Sequence, residues 1–259
     1  MNNNPIGIFD SGIGGTSIFK AIHHLLPNES ITYLADSKNA PYGLRSKAEI
    51  LEFSIKNTEL LLRKKCKIIV VACNTATTNA IAELRFKYDV PFIGIEPAIK
   101  PASLKTKTKS IGILATQGTL SSSLFHKTLN LYSENIKVVE QEGRGIVELI
   151  EAGKLESEEM KLLLKMYLQP MIKANIDHLV LGCTHYPYLI PALKKIIPKN
   201  IKIIDSGAAV ARQTKAILEQ NNLLNISQST PKISFYSNGK IEVLSQILNQ
   251  KFNVAHLDF

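Results

Sequence analysis

Cysteine, arginine and unbroken apolar sequence are all scarce in this chain, and each scarcity removes a class of function. The three cysteines are not closely paired, so they build no disulfide framework and suit a reducing compartment. No apolar run approaches the roughly 18 residues that a membrane-spanning helix needs. The opening Met1-Asn2-Asn3-Asn4-Pro5 lacks the basic-then-apolar layout of a secretion signal. Together these absences predict a soluble, cytoplasmic protein with no membrane partner. Arginine supplies only five of the 31 basic residues. Base edges and phosphates favour guanidinium forks, and single strands favour interleaved aromatics. Neither is concentrated here, and the densest basic stretch, Lys105-Thr106-Lys107-Thr108-Lys109, reads as a solvated loop. The net charge of +9 therefore predicts no nucleic-acid partner, and suits a weak attraction for a small anionic substrate.

Apolar content is ordinary: 45% hydrophobic residues over 259 positions can bury the core of one large domain or two modest ones. Strand-type runs alternate with helix-type segments. Ile6 to Phe9 is a strand, and a helix covers about Thr16 to Leu26. Ile31 to Ala35 is the next strand, and Ser46 with Glu49 forms a capping box that opens a helix to about Lys64. Lys67 to Ala72 and Pro91 to Ile95 are strands, with a helix from Cys73 to about Tyr88 between them. Continuous apolar strands between helices predict an α/β fold with mainly parallel sheets covered on both faces, a three-layer arrangement.

Pro97, Pro101 and the lysine cluster interrupt the pattern, which then restarts. Ile111-Gly112-Ile113-Leu114-Ala115-Thr116 repeats the character of Ile6-Gly7-Ile8-Phe9-Asp10-Ser11 at an offset of 105 residues. Val180-Leu181-Gly182-Cys183-Thr184 repeats Val70-Val71-Ala72-Cys73-Asn74 at an offset of 110. Such self-similarity implies two α/β units of about a hundred residues each. The second unit continues through a strand at Ile136 to Val139, a helix from Ser157 to about Ala174, and a strand at Asp177 to Gly182. The tail, with strands at Lys202 to Asp205 and Ile233 to Ser237, is too small to stand alone and is expected to pack back on the first unit. The expected division is residues 1–97 plus 208–259, and 98–207.

Ligands of open α/β sheets bind at the carboxyl ends of strands. Asp10, Ser11, Tyr42, Gly43, Cys73, Asn74, Thr116, Thr119, Cys183, Thr184 and His185 all fall at such ends. They offer hydroxyls, amides and backbone N–H groups, which suits a small zwitterion whose carboxylates rest on neutral donors and helix starts. A cysteine beside a helix start is expected to have its pKa lowered toward the thiolate. Two such cysteines predict two reactive thiols facing one cleft, whereas Cys66 reads as a small buried hydrophobe. Gly12-Ile13-Gly14-Gly15 lacks the spacing of a nucleotide fingerprint and has no P-loop lysine, so it reads as a tight turn that lets backbone approach a ligand. Cys183 and His185 do not have zinc-ligand spacing, and no metal is expected. His185 can serve as the thiol's proton partner, and Asp10 could act as a helix cap. Glu148 and Glu151, three apart on a helix, are expected on a solvated face.

Asp10-Ser11-Gly12-Ile13-Gly14-Gly15, Pro41-Tyr42-Gly43, Cys73-Asn74-Thr75 and Cys183-Thr184-His185 together resemble the glutamate racemases of the aspartate/glutamate racemase superfamily. The match runs in order along essentially the whole chain. It implies a cofactor-independent isomerase that interconverts L- and D-glutamate and supplies D-glutamate for peptidoglycan. It also implies two pseudo-symmetric α/β domains with the active site in the cleft between them, and a homodimer. By the resemblance Cys73 and Cys183 are the acid/base pair, with Asp10 and His185 as their respective partners. Ser11, Pro41, Tyr42, Gly43, Asn74, Thr75, Thr116, Thr119 and Thr184 are similar to substrate contacts. Near Glu151 the family often carries Val-Pro-Leu-Val-Glu, where this chain reads Val147-Glu148-Leu149-Ile150-Glu151.

Inverting a stereocentre through a planar carbanion needs a base on each face of Cα, a role that two tuned thiols can fill. The competing readings are an aspartate racemase, a one-cysteine decarboxylase, and a non-catalytic α/β binding protein that needs no second thiol. His185 after Cys183-Thr184 favours glutamate, since aspartate racemases tend to carry Glu at the matching place.

Overall fold

The computed structural model describes residues 3–227 and 230–259. From the N-terminus run β1 (Ile6–Asp10), α1 (Thr16–Leu25), β2 (Ile31–Ala35) and α2 (Lys47–Arg63). β3 (Ile68–Val71), α3 (Asn74–Lys87), β4 (Phe92–Gly94) and α4 (Ile99–Lys105) follow. The pattern restarts with β5 (Ser110–Ala115), α5 (Gln117–Leu120), α6 (Ser123–Tyr132) and β6 (Lys137–Glu142). Next come α7 (Ile146–Glu151), α8 (Glu158–Lys173), β7 (His178–Gly182), α9 (Ile190–Ile196) and β8 (Lys202–Ile204). α10 (Gly207–Gln220), β9 (Ile233–Ser237), α11 (Ile241–Ile247) and β10 (Val254–His256) complete the chain.

The expected parallel α/β class is the one adopted. The first sheet has the order β10-β9-β2-β1-β3-β4 and the second β6-β5-β7-β8; every pairing is parallel. Reading β5, β6, β7 and β8 as counterparts of β1, β2, β3 and β4 gives the same strand order in both. The repeats at 105 and 110 residues are thus a duplicated sheet. The tail after β8 adds to the first sheet, as expected: β9 pairs with β2 and β10 with β9, and α10 packs on α1. The strand at Lys202 to Asp205, expected to go with it, instead stays in the second sheet, where β8 pairs with β7.

Local chemistry explains the elements. Apolar runs of Ile, Val and Leu buried on both faces form the central strands. Ser46 and Glu49 make both bonds of the capping box at the start of α2, and the Ser157 hydroxyl accepts the Met160 N–H to start α8. Alternation along β3 divides its side chains between two apolar layers. Ile68, Val70 and Ala72 face a cluster that reaches β7 and α7, whereas Ile69, Val71 and Cys73 face α2 and α3. Cys66 is buried as expected, and burial pushes its thiol up to about 12. The stretch around Pro97 and Pro101, read as an interruption, holds the short helix α4. Pro101 sits in its first turn, where the lost N–H has no helical partner to forgo.

Candidate active site

Equivalent strands of the two sheets deliver the site. β1 ends in Asp10 and hands on Ser11, and β5 ends just before Thr116. β3 leads to Cys73, which caps α3, and β7 leads directly to Cys183. Cys73 and Cys183 line one small cavity together with Ser11, Asn74, Thr116, Thr184 and His185. Pro41, Tyr42, Gly43 and Thr75 complete the expected lining, and Val147 is an apolar addition that sequence reading did not assign to the site. Asp10 and Thr119 stand directly behind this wall. The Thr184 hydroxyl donates to Asp10 Oδ1 at 3.3 Å, and Thr119 Oγ1 lies 3.1 Å from Thr116 Oγ1.

Cys73 sits against small polar partners. Its Sγ is 3.6 Å from Ser11 Oγ and accepts the Ala76 N–H of α3 at 3.5 Å. The helix start is therefore present, yet the expected depression of the thiol pKa is not found. Burial, joined by the nearby Asp10 carboxylate, raises it and outweighs the Ala76 and Ser11 hydrogen bonds. A dipole at a helix end is worth little against complete removal from water. Asp10 is itself buried, and that burial raises its pKa to about 6, against the lowering effect of His185 and the Gly15 N–H. The Asp10 carboxylate accepts the Gly15 N–H (2.8 Å) and the Thr184 hydroxyl, and its influence on Cys73 acts through charge.

Cys183 has a different partner set. Its Sγ is 3.7 Å from His185 Nδ1, and His185 Nε2 lies 2.6 Å from Glu151 Oε1. Burial works to lower the His185 pKa, but the Cys183 and Glu151 contacts outweigh it and leave the imidazole well above its ordinary value. Glu151 corrects the sequence reading. Glu148 is exposed as expected, but Glu151 turns inward, its side chain only 17% exposed. Its Oε1 also accepts the Ile13 N–H at 2.7 Å, and Ser37 Oγ donates to Oε2 at 3.2 Å. The signal was in the helix: Val147 and Ile150 are buried four residues and one residue before Glu151, so the stripe flanking it already faces the core.

Known proteins match along this same chain. The family model described as Asp/Glu/Hydantoin racemase covers residues 6–214. A glutamate racemase of Ectopseudomonas mendocina (strain ymp) is 44% identical over 94% of this chain and 93% of its own. The chain belongs to the Asp/Glu/hydantoin racemase family. Among solved structures of the family, Escherichia coli glutamate racemase in complex with L-glutamate and an activator superposes with a TM-score of 0.87. It is 33% identical and 98% of each chain is covered. The Francisella tularensis glutamate racemase in complex with D-glutamate gives 0.85 at 30% identity, covering 100% of this chain and 98% of that one.

In this racemase-family chain the glycine turn serves the side chains around it. A Cβ on Gly12 would lie 1.9 Å from Glu151 Oε1, and one on Gly14 would lie 2.3 Å from His185 Nδ1. The turn was expected to bring backbone to a ligand. What the structure shows it doing is letting the Cys183 partners pack against the start of α1. Across the cavity Thr75 Oγ1 lies 2.8 Å from Thr116 Oγ1 and 3.3 Å from Thr119 Oγ1, a triangle of hydroxyls drawn from both sheets. Among the described residues the cavity lining contains neither arginine nor lysine. Three or more His, Cys, Asp or Glu placed to hold a metal are not found among the described residues.

Proposed function

We propose that the protein racemises glutamate, using Cys73 and Cys183 as acid and base on opposite faces of Cα and no cofactor. The observation that carries this reading is the placement of the two thiols. They follow equivalent strands of a duplicated fold and line one cavity, each with its own proton partners. One thiolate takes the α-proton, the planar carbanion forms, and the other thiol returns a proton from the far side. Asp10 and Ser11 attend Cys73; His185, backed by Glu151, attends Cys183. Cys73 rests as a thiol, and a bound ammonium group beside it would favour the thiolate, because an opposite charge lowers a pKa. Neutral donors such as Asn74, Thr116 and Thr184 suit the two carboxylates, and enclosure lets their fixed dipoles act at full strength on the carbanion. The relatives crystallised with L- and D-glutamate support the substrate.

The same reading includes division at residues 1–97 plus 208–259 and 98–207, homodimeric assembly, and a cytoplasmic role supplying D-glutamate for peptidoglycan. The deciding experiment follows the optical activity of L-glutamate, D-glutamate and aspartate by circular dichroism, without added cofactor or metal. Loss of signal from both glutamate enantiomers toward zero is expected, with aspartate unchanged. A signal that decays only for aspartate, or only after pyridoxal phosphate or zinc is added, would overturn it.

A further inference from the structure

Asp36 follows β2 directly, lies outside the cavity lining and is 2% exposed. Its Oδ2 accepts the Tyr42 hydroxyl and the Asn57 amide (3.4 Å). Its Oδ1 accepts the amides of Asn39 (2.8 Å) and Asn238 (2.5 Å). All four donors are neutral, so the carboxylate is held by directed bonds rather than by a counter-charge. Tyr42 is thereby fully engaged. Its one proton goes to Asp36, and its oxygen accepts Asn57 Nδ2 at 3.1 Å. No donor remains on that hydroxyl for a substrate, although Tyr42 is part of the cavity wall.

The next residue passes this constraint on. A Cβ on Gly43 would lie 2.9 Å from Thr116 Cβ, so the backbone after Tyr42 packs closely on one corner of the threonine triangle. On the other side Asn238, in the turn after β9, ties Asp36 to the tail, since its Oδ1 accepts the Lys38 N–H at 3.0 Å. We propose that Asp36 is a positioning residue that fixes the Tyr42–Gly43 wall of the substrate cavity through the Tyr42 hydroxyl. Asn238 completes its shell from the tail. Tyr42 then serves substrate through its ring and backbone alone. This inference rests on the cavity being the glutamate site.

The test is a double-mutant cycle of Asp36→Asn and Tyr42→Phe, read in KM and kcat, with Asn238→Ala as a milder variant. Hydrogen bonds to a charged, buried partner support a rise in KM of about tenfold for each single variant, with kcat changed less than about threefold. The double variant should be no worse than either single one, because both break the same link. Additive losses, or a KM that does not move, would overturn the proposal. A second readout does not depend on activity. The wild-type protein should show a downfield, slowly exchanging hydroxyl proton by NMR, lost in Tyr42→Phe and moved upfield in Asp36→Asn. Its absence from the wild type would overturn the Asp36–Tyr42 link even if glutamate is racemised. Its presence in a protein that leaves glutamate unchanged would instead sink the substrate reading and leave the link standing.

Discussion

At the scale of single residues, burial rather than local dipoles sets the chemistry. Asp10 has a pKa of about 6 in the folded chain, against an ordinary 3.8. The folded state thus holds this proton more tightly than the unfolded chain does. Stability contributed by the group is complete below the unfolded value and falls as pH rises through the folded one. Two units correspond to about 3 kcal/mol. Asp10→Asn keeps an acceptor for the Gly15 N–H and removes the titration. In denaturant unfolding the variant should gain on the wild type by up to about 3 kcal/mol between roughly pH 4 and 7. A difference that stays constant with pH would contradict the raised value. The two thiols give a second expectation. Cys73→Ser or Cys183→Ser should nearly stop racemisation, since the two-base step needs both. A glutamate analogue with a leaving group on the β-carbon needs only one abstraction before it eliminates. By the family resemblance Cys73→Ser should keep elimination from the L analogue and Cys183→Ser from the D analogue. One variant eliminating both enantiomers at comparable rates would mean that a single base reaches both faces. Both cysteines were legible in sequence because their strand contexts repeat. The raised Cys73 pKa was not, because it depends on how completely folding removes water from the thiol.

Among the elements, the central strands were legible almost to the residue, since buried parallel strands leave continuous Ile and Val runs; β2, at Ile31–Ala35, matches its expected span. Short helices were harder. α4 is seven residues with a proline inside, and no periodicity can develop over that length. The turn from Gly12 to Gly15 was recognised as special, but its partner could not be. Glu151 lies 138 residues beyond the Ile13 N–H that it accepts, and no local pattern carries that distance. The turn and Glu151 should therefore behave as one unit. Gly12→Ala would drive a methyl group into the Glu151 carboxylate, which can swing aside at little cost in fold but loses His185. Gly12→Ala and Glu151→Ala should each lower kcat by about tenfold or more, and the double variant should lose no more than the worse single one. Multiplying losses would show that the glycine serves something other than Glu151.

For the whole molecule, the duplication legible in the repeats sets the strand order of both sheets, but the way the halves join was not written in either repeat. One apolar cluster contains Ile8 and Val70 from the first sheet, Leu114 and Leu181 from the second, and Ile146 and Ile150 of α7 between them. Polar contacts reinforce the junction: Thr16 Oγ1 lies 2.5 Å from the Tyr188 hydroxyl, and Ser17 Oγ donates to the Thr184 carbonyl at 3.0 Å. The two connecting segments are tied as well, with Ser206 Oγ donating to the Glu96 carbonyl at 2.6 Å. A continuous core shared by two sheets should not let either melt alone. Calorimetry should therefore give one thermal transition whose measured and van't Hoff enthalpies agree. Because the site draws on both halves, glutamate should move that transition upward as a single peak, by an amount that grows with ligand concentration. Two resolved transitions, with glutamate shifting only one, would mean that each half folds around its own core and that the shared cluster is a contact surface rather than a common interior.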